Sequence, residues 1–248
     1  MANYLLLIQA NPDNIEVGLD ALEQAKQLAA NGKTIEQVFF YGHGVLYASH
    51  FLNFPSGLPN LQTTWLEFSQ QYNVPLVVCA TVASQYGLET LAPPEGNLAK
   101  GFHAGGLTEF MSTLAKADTL LQFPAVKTAQ PANSGDSISF IYNQQPLHPS
   151  ARQGLDMLLM AVSLELPSAA VFLGEGIWQL AAPQTELDPL KKMTMLPDIF
   201  DFESFYTTAD TLQQAGLELE QLRLPVTVLT AVELDQLLSH DSKHVVRF

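Results

Sequence analysis

Apolar and polar positions along the chain fall into a pattern of alternating strands and helices that occurs twice. The run YLLLIQ at 4–9 is apolar and of strand length. In the following segment 11–32, Ile15, Leu19, Leu22, Ala25 and Ala29 recur at steps of three and four, which predicts a helix with one buried stripe. Asn31-Gly32 then stops it, glycine being suited to the left-handed position after a helix. A second strand is expected in QVFFYGHGV at 37–45.

The second half repeats this order. SISFIY at 137–142 predicts a strand, ARQGLDMLLMAVSLEL at 151–166 a helix, and AAVFLGEGIWQLA at 169–181 the next strand. GLDALEQA aligns with GLDMLLMA, and VFFYGHGVLYA with VFLGEGIWQLA. Both halves continue alike, WLEFSQQYNVPLVVCA at 65–80 being set against SFYTTADTLQQAGLELEQLRLPVTVLTA at 204–231. Around the start of the latter, Phe202, Phe205, Tyr206, Ala209 and Leu212 predict one apolar helix face, and the strand after Pro225 is paired with the strand after Pro75. That alignment sets Leu229 opposite Cys79. The halves end on the strands ADTLLQF and SKHVVRF.

Strands such as LLLI, VFF and LVVC are apolar on both faces, the mark of a parallel sheet covered by helices on both sides. The fold class expected is α/β: two tandem flavodoxin-like domains, each a small, mainly parallel sheet of four or five strands. The boundaries are 1–123 and 136–248, with the aperiodic, Pro- and Ala-rich stretch 124–135 as a linker. Homologous domains are expected to pair about a pseudo-two-fold axis.

Composition narrows the function. Charged residues are only 15% of the 248 and the net charge is −14. Residues 1–124 carry 10 acidic and 4 basic side chains, and residues 125–248 carry 15 and 7. With no basic stripe in either half, direct nucleic-acid binding and adsorption to an anionic membrane are disfavoured. The weakly charged surface favours an oligomer. No signal-peptide pattern opens the chain and no apolar run reaches membrane-spanning length, so a cytoplasmic protein is expected.

Chemistry points to one residue. Cys79 is the single cysteine, at the carboxyl end of VPLVVC, where open parallel sheets gather functional groups. A helix beginning just after it would aim backbone N–H groups at the sulfur and favour a thiolate. Against this stands the plain reading of a small buried hydrophobe. Tyr41, Gly42, His43 and Gly44 form a glycine-rich turn after the second strand, either a tight turn or one wall of a pocket beside Cys79. The dinucleotide fingerprint fails there, because a third glycine would fall at Tyr47, and no phosphate-binding loop is present. His43 and His103 are placed in loops, able to orient or protonate a sulfur species or simply solvated. No metal-ligand spacing appears, and no cofactor is expected.

These stretches resemble the DsrE/DsrF-like sulfur-relay family. The first half resembles its TusD-type subunits on QVFFYGHGVLYA, LVVCATVASQYGL, KGFHAGGLTEF and ADTLLQF. The second resembles TusC-type subunits on GLDMLLMAVSLE, VFLGEGIWQL and HVVRF. The resemblance implies that Cys79 carries sulfur as a persulfide, received from a sulfur-donor protein and passed to a TusE- or DsrC-like acceptor, for 2-thiolation of the wobble uridine of transfer RNA. It implies a mainly structural second half and an assembly that includes a TusB-like subunit. Two departures stand out: the subunits are fused here, and the run after Cys79 lacks the arginines often found in TusD-type chains. A silent scaffold, sulfur trafficking in sulfur oxidation, and a nucleotide-binding module are the alternatives.

Overall fold

The computed structural model describes residues 2–124, 135–183 and 186–248. Most of the expected linker lies outside the described residues. The chain divides into two compact units, Met1–Gln130 and Pro131–Phe248.

In the first unit, β1 (Asn3–Ile8), α1 (Ile15–Ala30), β2 (Thr34–Phe40), α2 (Leu61–Tyr72), β3 (Leu76–Cys79), α3 (Ala80–Gln85), β4 (Phe102–Gly105), α4 (Leu107–Lys116) and β5 (Thr119–Phe123) follow in order. A 3-10 turn, Gly42–Ala48, leaves β2. The five strands form one sheet, ordered β4-β3-β2-β1-β5, and every pair is parallel. The chain steps outward from β1 to β4, then crosses β1 to add β5.

The second unit repeats the plan with β6 (Ser137–Tyr142), α5 (Pro149–Ser163), β7 (Ser168–Phe172), α6 (Leu196–Phe200), β8 (Phe205–Thr208), α7 (Ala209–Ala215), β9 (Thr227–Leu229), α8 (Ala231–Gln236) and β10 (Ser242–Arg247). A 3-10 turn, Gly174–Gln179, leaves β7. Its parallel sheet runs β10-β6-β7-β8-β9, which is the first order read from the other edge. The chain is therefore two tandem α/β domains, each a five-stranded parallel sheet flanked by helices.

Alternation along β2 shows how each sheet is clad. Phe40 points to one face, where its ring meets Tyr47, Trp65 and Phe102 at centroid distances of 5.6, 5.9 and 5.3 Å. Phe39 points to the other and stacks on Phe110 of α4 at 4.4 Å. Two-sided burial is why β1 and β3 read as unbroken apolar runs.

Two expectations need correction. The buried stripe of α1 is Val17, Gly18, Ala21, Leu22 and Ala25, while Leu19 is 46% exposed. The helix turns its smallest residues inward because α2 approaches closely; a Cβ on Gly18 would sit 2.5 Å from both Leu61 Cδ1 and the Tyr47 hydroxyl. Second, 205–208 is a strand, and the helix starts only at Ala209. Phe205 and Thr207 are buried, with half-buried Tyr206 and Thr208 between them. That period of two coincides with helical spacing over so short a run. LPVTVL therefore supplies β9, the counterpart of β4, and the residue topologically equivalent to Cys79 is Thr208, not Leu229.

The two glycine-rich turns serve the same purpose in each unit. Gly42 and Gly174 adopt φ of 53° and 52°, a region glycine enters readily. Two residues on, Gly44 packs against the Ile8 carbonyl at the end of β1, and Gly176 against the Tyr142 carbonyl at the end of β6. A Cβ at either position would overlap that oxygen. Among the described residues no helix is long and apolar enough to cross a membrane.

Gly44→Ala and Gly176→Ala are each expected to destabilise their unit by about 2–4 kcal/mol, because the carbonyl of an interior strand cannot yield as a side chain does. Gly106→Ala, where a Cβ meets nothing within 4 Å, is expected to cost no more than ~1 kcal/mol. Urea titration of the three variants checks this ranking.

Candidate functional site

Cys79 is the last residue of β3 and the residue from which α3 springs, with φ −63° and ψ 111°. Phe40 pairs with Val78 in register, so the next step brings Tyr41 abreast of Cys79. On the other side Cys79 pairs with Gly105 of β4. Tyr41, Cys79 and Gly105 thus form a row across the carboxyl end of the sheet. By strand alternation this row lies on the α4 face, with Phe39 and Val77 below it. Tyr41 stacks over Phe39 at 6.1 Å.

The α4 side of the row carries a carboxylate. Glu109, in the first turn of α4, places Oε2 where a Cβ on Gly105 would lie 3.2 Å away. The opposite wall is the glycine-rich turn. His43 is exposed, and its ring meets Tyr86 edge-on at 5.1 Å, joining the turn to the end of α3. Tyr47, in the same turn, is buried with its hydroxyl lacking a hydrogen-bond partner. Burial foremost, and Asp13 in second place, push that phenol well above its ordinary value, so it stays protonated at any ordinary pH.

Sequence reasoning and geometry agree only in part. Tyr41 and the Gly42–Gly44 turn do stand beside Cys79, whereas His103 is not in a loop. It lies within edge strand β4, paired with Val77 two residues below the Cys79 row, and its side chain is exposed. An edge strand leaves one side open to solvent, which is why a polar residue sits there. Sequence reasoning passed over Tyr86 and Glu109. Tyr86 enters because α3 is only six residues long, and that length is not written in any local pattern.

Cys79 itself is fully buried, at 0% exposure. Helix α3 starts where expected, but with six residues its dipole is small. Cys79 makes no side-chain capping bond to α3, whereas Thr208, its counterpart, accepts a bond from Thr211 N at 3.3 Å to cap α7. One unit therefore holds a thiol where the other holds a cap. Among the described residues no group of three His, Cys, Asp or Glu side chains could hold a metal ion.

Comparison with known proteins matches residues 2–123 to the DsrE/DsrF-like family. The "Sulfurtransferase TusD homolog" of Pasteurella multocida is 34% identical over 122 residues, spanning 48% of this chain and 97% of that protein. The "Protein TusC homolog" of Vibrio vulnificus is 34% identical over 116 residues, spanning 45% of this chain and 98% of that protein. The crystal structure of the ychN protein from E. coli covers 50% of this chain and all of its own, at 24% identity and a TM-score of 0.43. Proteins of both names thus match over almost their whole length, each accounting for about half of the present chain. The chain belongs to the DsrE/DsrF-like family, with the make-up of TusD- and TusC-like halves joined in one polypeptide.

Proposed function

We propose that this protein is a sulfur-relay sulfurtransferase that carries persulfide sulfur on Cys79. One observation carries the reading: the chain's single cysteine stands at the carboxyl end of a central parallel strand, in the unit matched to a family whose relatives include proteins named sulfurtransferase. The Cys79 thiolate attacks the outer sulfur of a persulfide on a donor protein. The donor's S–S bond breaks, its thiolate leaves, and a persulfide remains on Cys79. A thiolate of an acceptor protein then takes the same outer sulfur and releases the Cys79 thiolate. Both steps are exchanges at sulfur, so no net oxidant or reductant is consumed. The partners are a desulfurase-loaded donor and a TusE- or DsrC-like acceptor, the sulfur ending in wobble-uridine 2-thiolation of transfer RNA. The assembly includes further copies or a TusB-like subunit, in the cytoplasm.

Burial of Cys79 adds a condition. The thiol reacts only when its cover opens, and the segment joined by the His43–Tyr86 contact is the part that moves. Transfer would then be confined to a docked partner that holds the site open, which protects a persulfide from water and stray thiols. The same burial supports a second reading, in which the chain is a silent scaffold and Cys79 a packed apolar residue.

Intact-mass measurement after incubation with a cysteine desulfurase and cysteine separates the two. A gain of one sulfur, removed by reductant and absent from Cys79→Ser, is expected; no gain on the folded wild type sinks the relay reading. Alkylation by iodoacetamide is expected to be at least ~10-fold slower in the folded protein than in denaturant, because it waits on local opening. Tyr86→Ala is expected to speed alkylation of the folded protein about 2- to 10-fold, the range set by losing one aromatic pair. An unchanged rate would place the moving cover elsewhere.

A further inference from the structure

The second unit has a pocket of its own at the carboxyl end of its sheet, of about 600 Å³, within the range of ligand sites. It is bounded by the segment after β6, the 3-10 turn after β7, residues around Asp188 and one side of α7 from Thr211 to Ala215. Its walls are mostly apolar and include the half-buried Trp178. Leu147 and Leu187 stand at its rim, 65% and 72% exposed. Two large apolar side chains left this open beside a cavity form a ledge that an occupant would cover.

Charge decides which occupant fits. The pocket's cation, Arg223, is already engaged: Nη1 donates to Asp188 Oδ2 at 2.6 Å and Nη2 to the Gln179 carbonyl at 2.7 Å. That ion pair is neutral as a unit and ties the 188 segment to the turn. The remaining charge is Glu175, an exposed carboxylate that accepts a bond from Gln145 Nε2 at 2.8 Å. The pocket therefore carries a net negative charge beside an indole face. Both features attract a cation and repel phosphates and carboxylates. The chain's net charge of −14 steers basic partners towards it.

We propose that this pocket docks a segment of a basic partner protein in which a lysine or arginine adjoins an apolar residue. The cationic head meets Glu175, its alkyl stem lies along Trp178, and the neighbouring apolar side chain covers Leu147 and Leu187. A small organic cation would fill the cavity but leave both leucines in water, whereas a peptide covers cavity and ledge together. The site lies in the unit without the cysteine, and it stands whether or not Cys79 carries sulfur.

The chain holds two tryptophans. Trp65 is fully buried in the first unit, so the indole N–H resonance of Trp178, assigned with Trp178→Phe, reports on the pocket alone. Titrating the full-length protein with acetyl-Arg-Leu-amide to ~10 mM is expected to shift that resonance saturably and leave Trp65 unmoved. Acetyl-Glu-Leu-amide is expected to give no saturable shift, and Glu175→Gln to weaken binding of the basic peptide about fivefold. The proposal is overturned by absence of a saturable shift, by equal binding of the acidic peptide, or by unchanged affinity in Glu175→Gln. Butylguanidinium binding as tightly as the peptide would also overturn it, in favour of a small cation.

Discussion

In each unit the backbone of a glycine, Gly44 or Gly176, lies directly on the carbonyl that ends the first strand, β1 or β6. Everything at the carboxyl end of the sheets is arranged around that approach. Because no Cβ intervenes, the chain leaving the second strand turns at once and crosses the end of the first as a 3-10 helix. The turn then walls one side of the sheet end and leaves the neighbouring third strand to finish beside it. Helix α1 obeys the same demand for closeness through Gly18, and α5 through Gly154, which abuts Tyr142 and Phe248.

From this shared frame the two units diverge at one position. The third strand ends in Cys79 in the first unit and in Thr208 in the second. Threonine caps the helix that follows; cysteine does not. Giving up a cap costs stability, of the order of 1 kcal/mol for such a helix start, while the thiol itself is fully buried. A burial that stabilises the fold also shields the sulfur, so stability and reactivity oppose one another at Cys79. Opening at the His43–Tyr86 contact is how both are met in the relay reading.

The second unit spends its carboxyl end differently. There the Arg223–Asp188 pair braces a pocket whose free charge is acidic and whose lining is Trp178 with leucines at the rim. The duplicated frame thus ends in a buried thiol on the first unit and in an acidic, partly apolar recess on the second.

Much of the fold was legible in the chain by itself. Unbroken apolar strands fixed a two-sided parallel sheet, and the recurrence of Gly-Leu-Asp and Gly-x-Gly revealed the duplication, because both are local or periodic signals. Cys79 was legible as the one sulfur at a strand end. Three matters belonged to the tertiary structure. Which stripe of α1 is buried depended on how closely α2 approaches, not on where its largest apolar residues fall. Whether 205–208 is strand or helix depended on neighbours β7 and β9, since four residues fit either period, and with it went the identity of the second unit's equivalent of Cys79. The row of Tyr41, Cys79 and Gly105, the tie from His43 to Tyr86, and the recess around Trp178 join residues far apart in sequence. Their juxtaposition is set by strand register and crossover, which no local run of residues encodes.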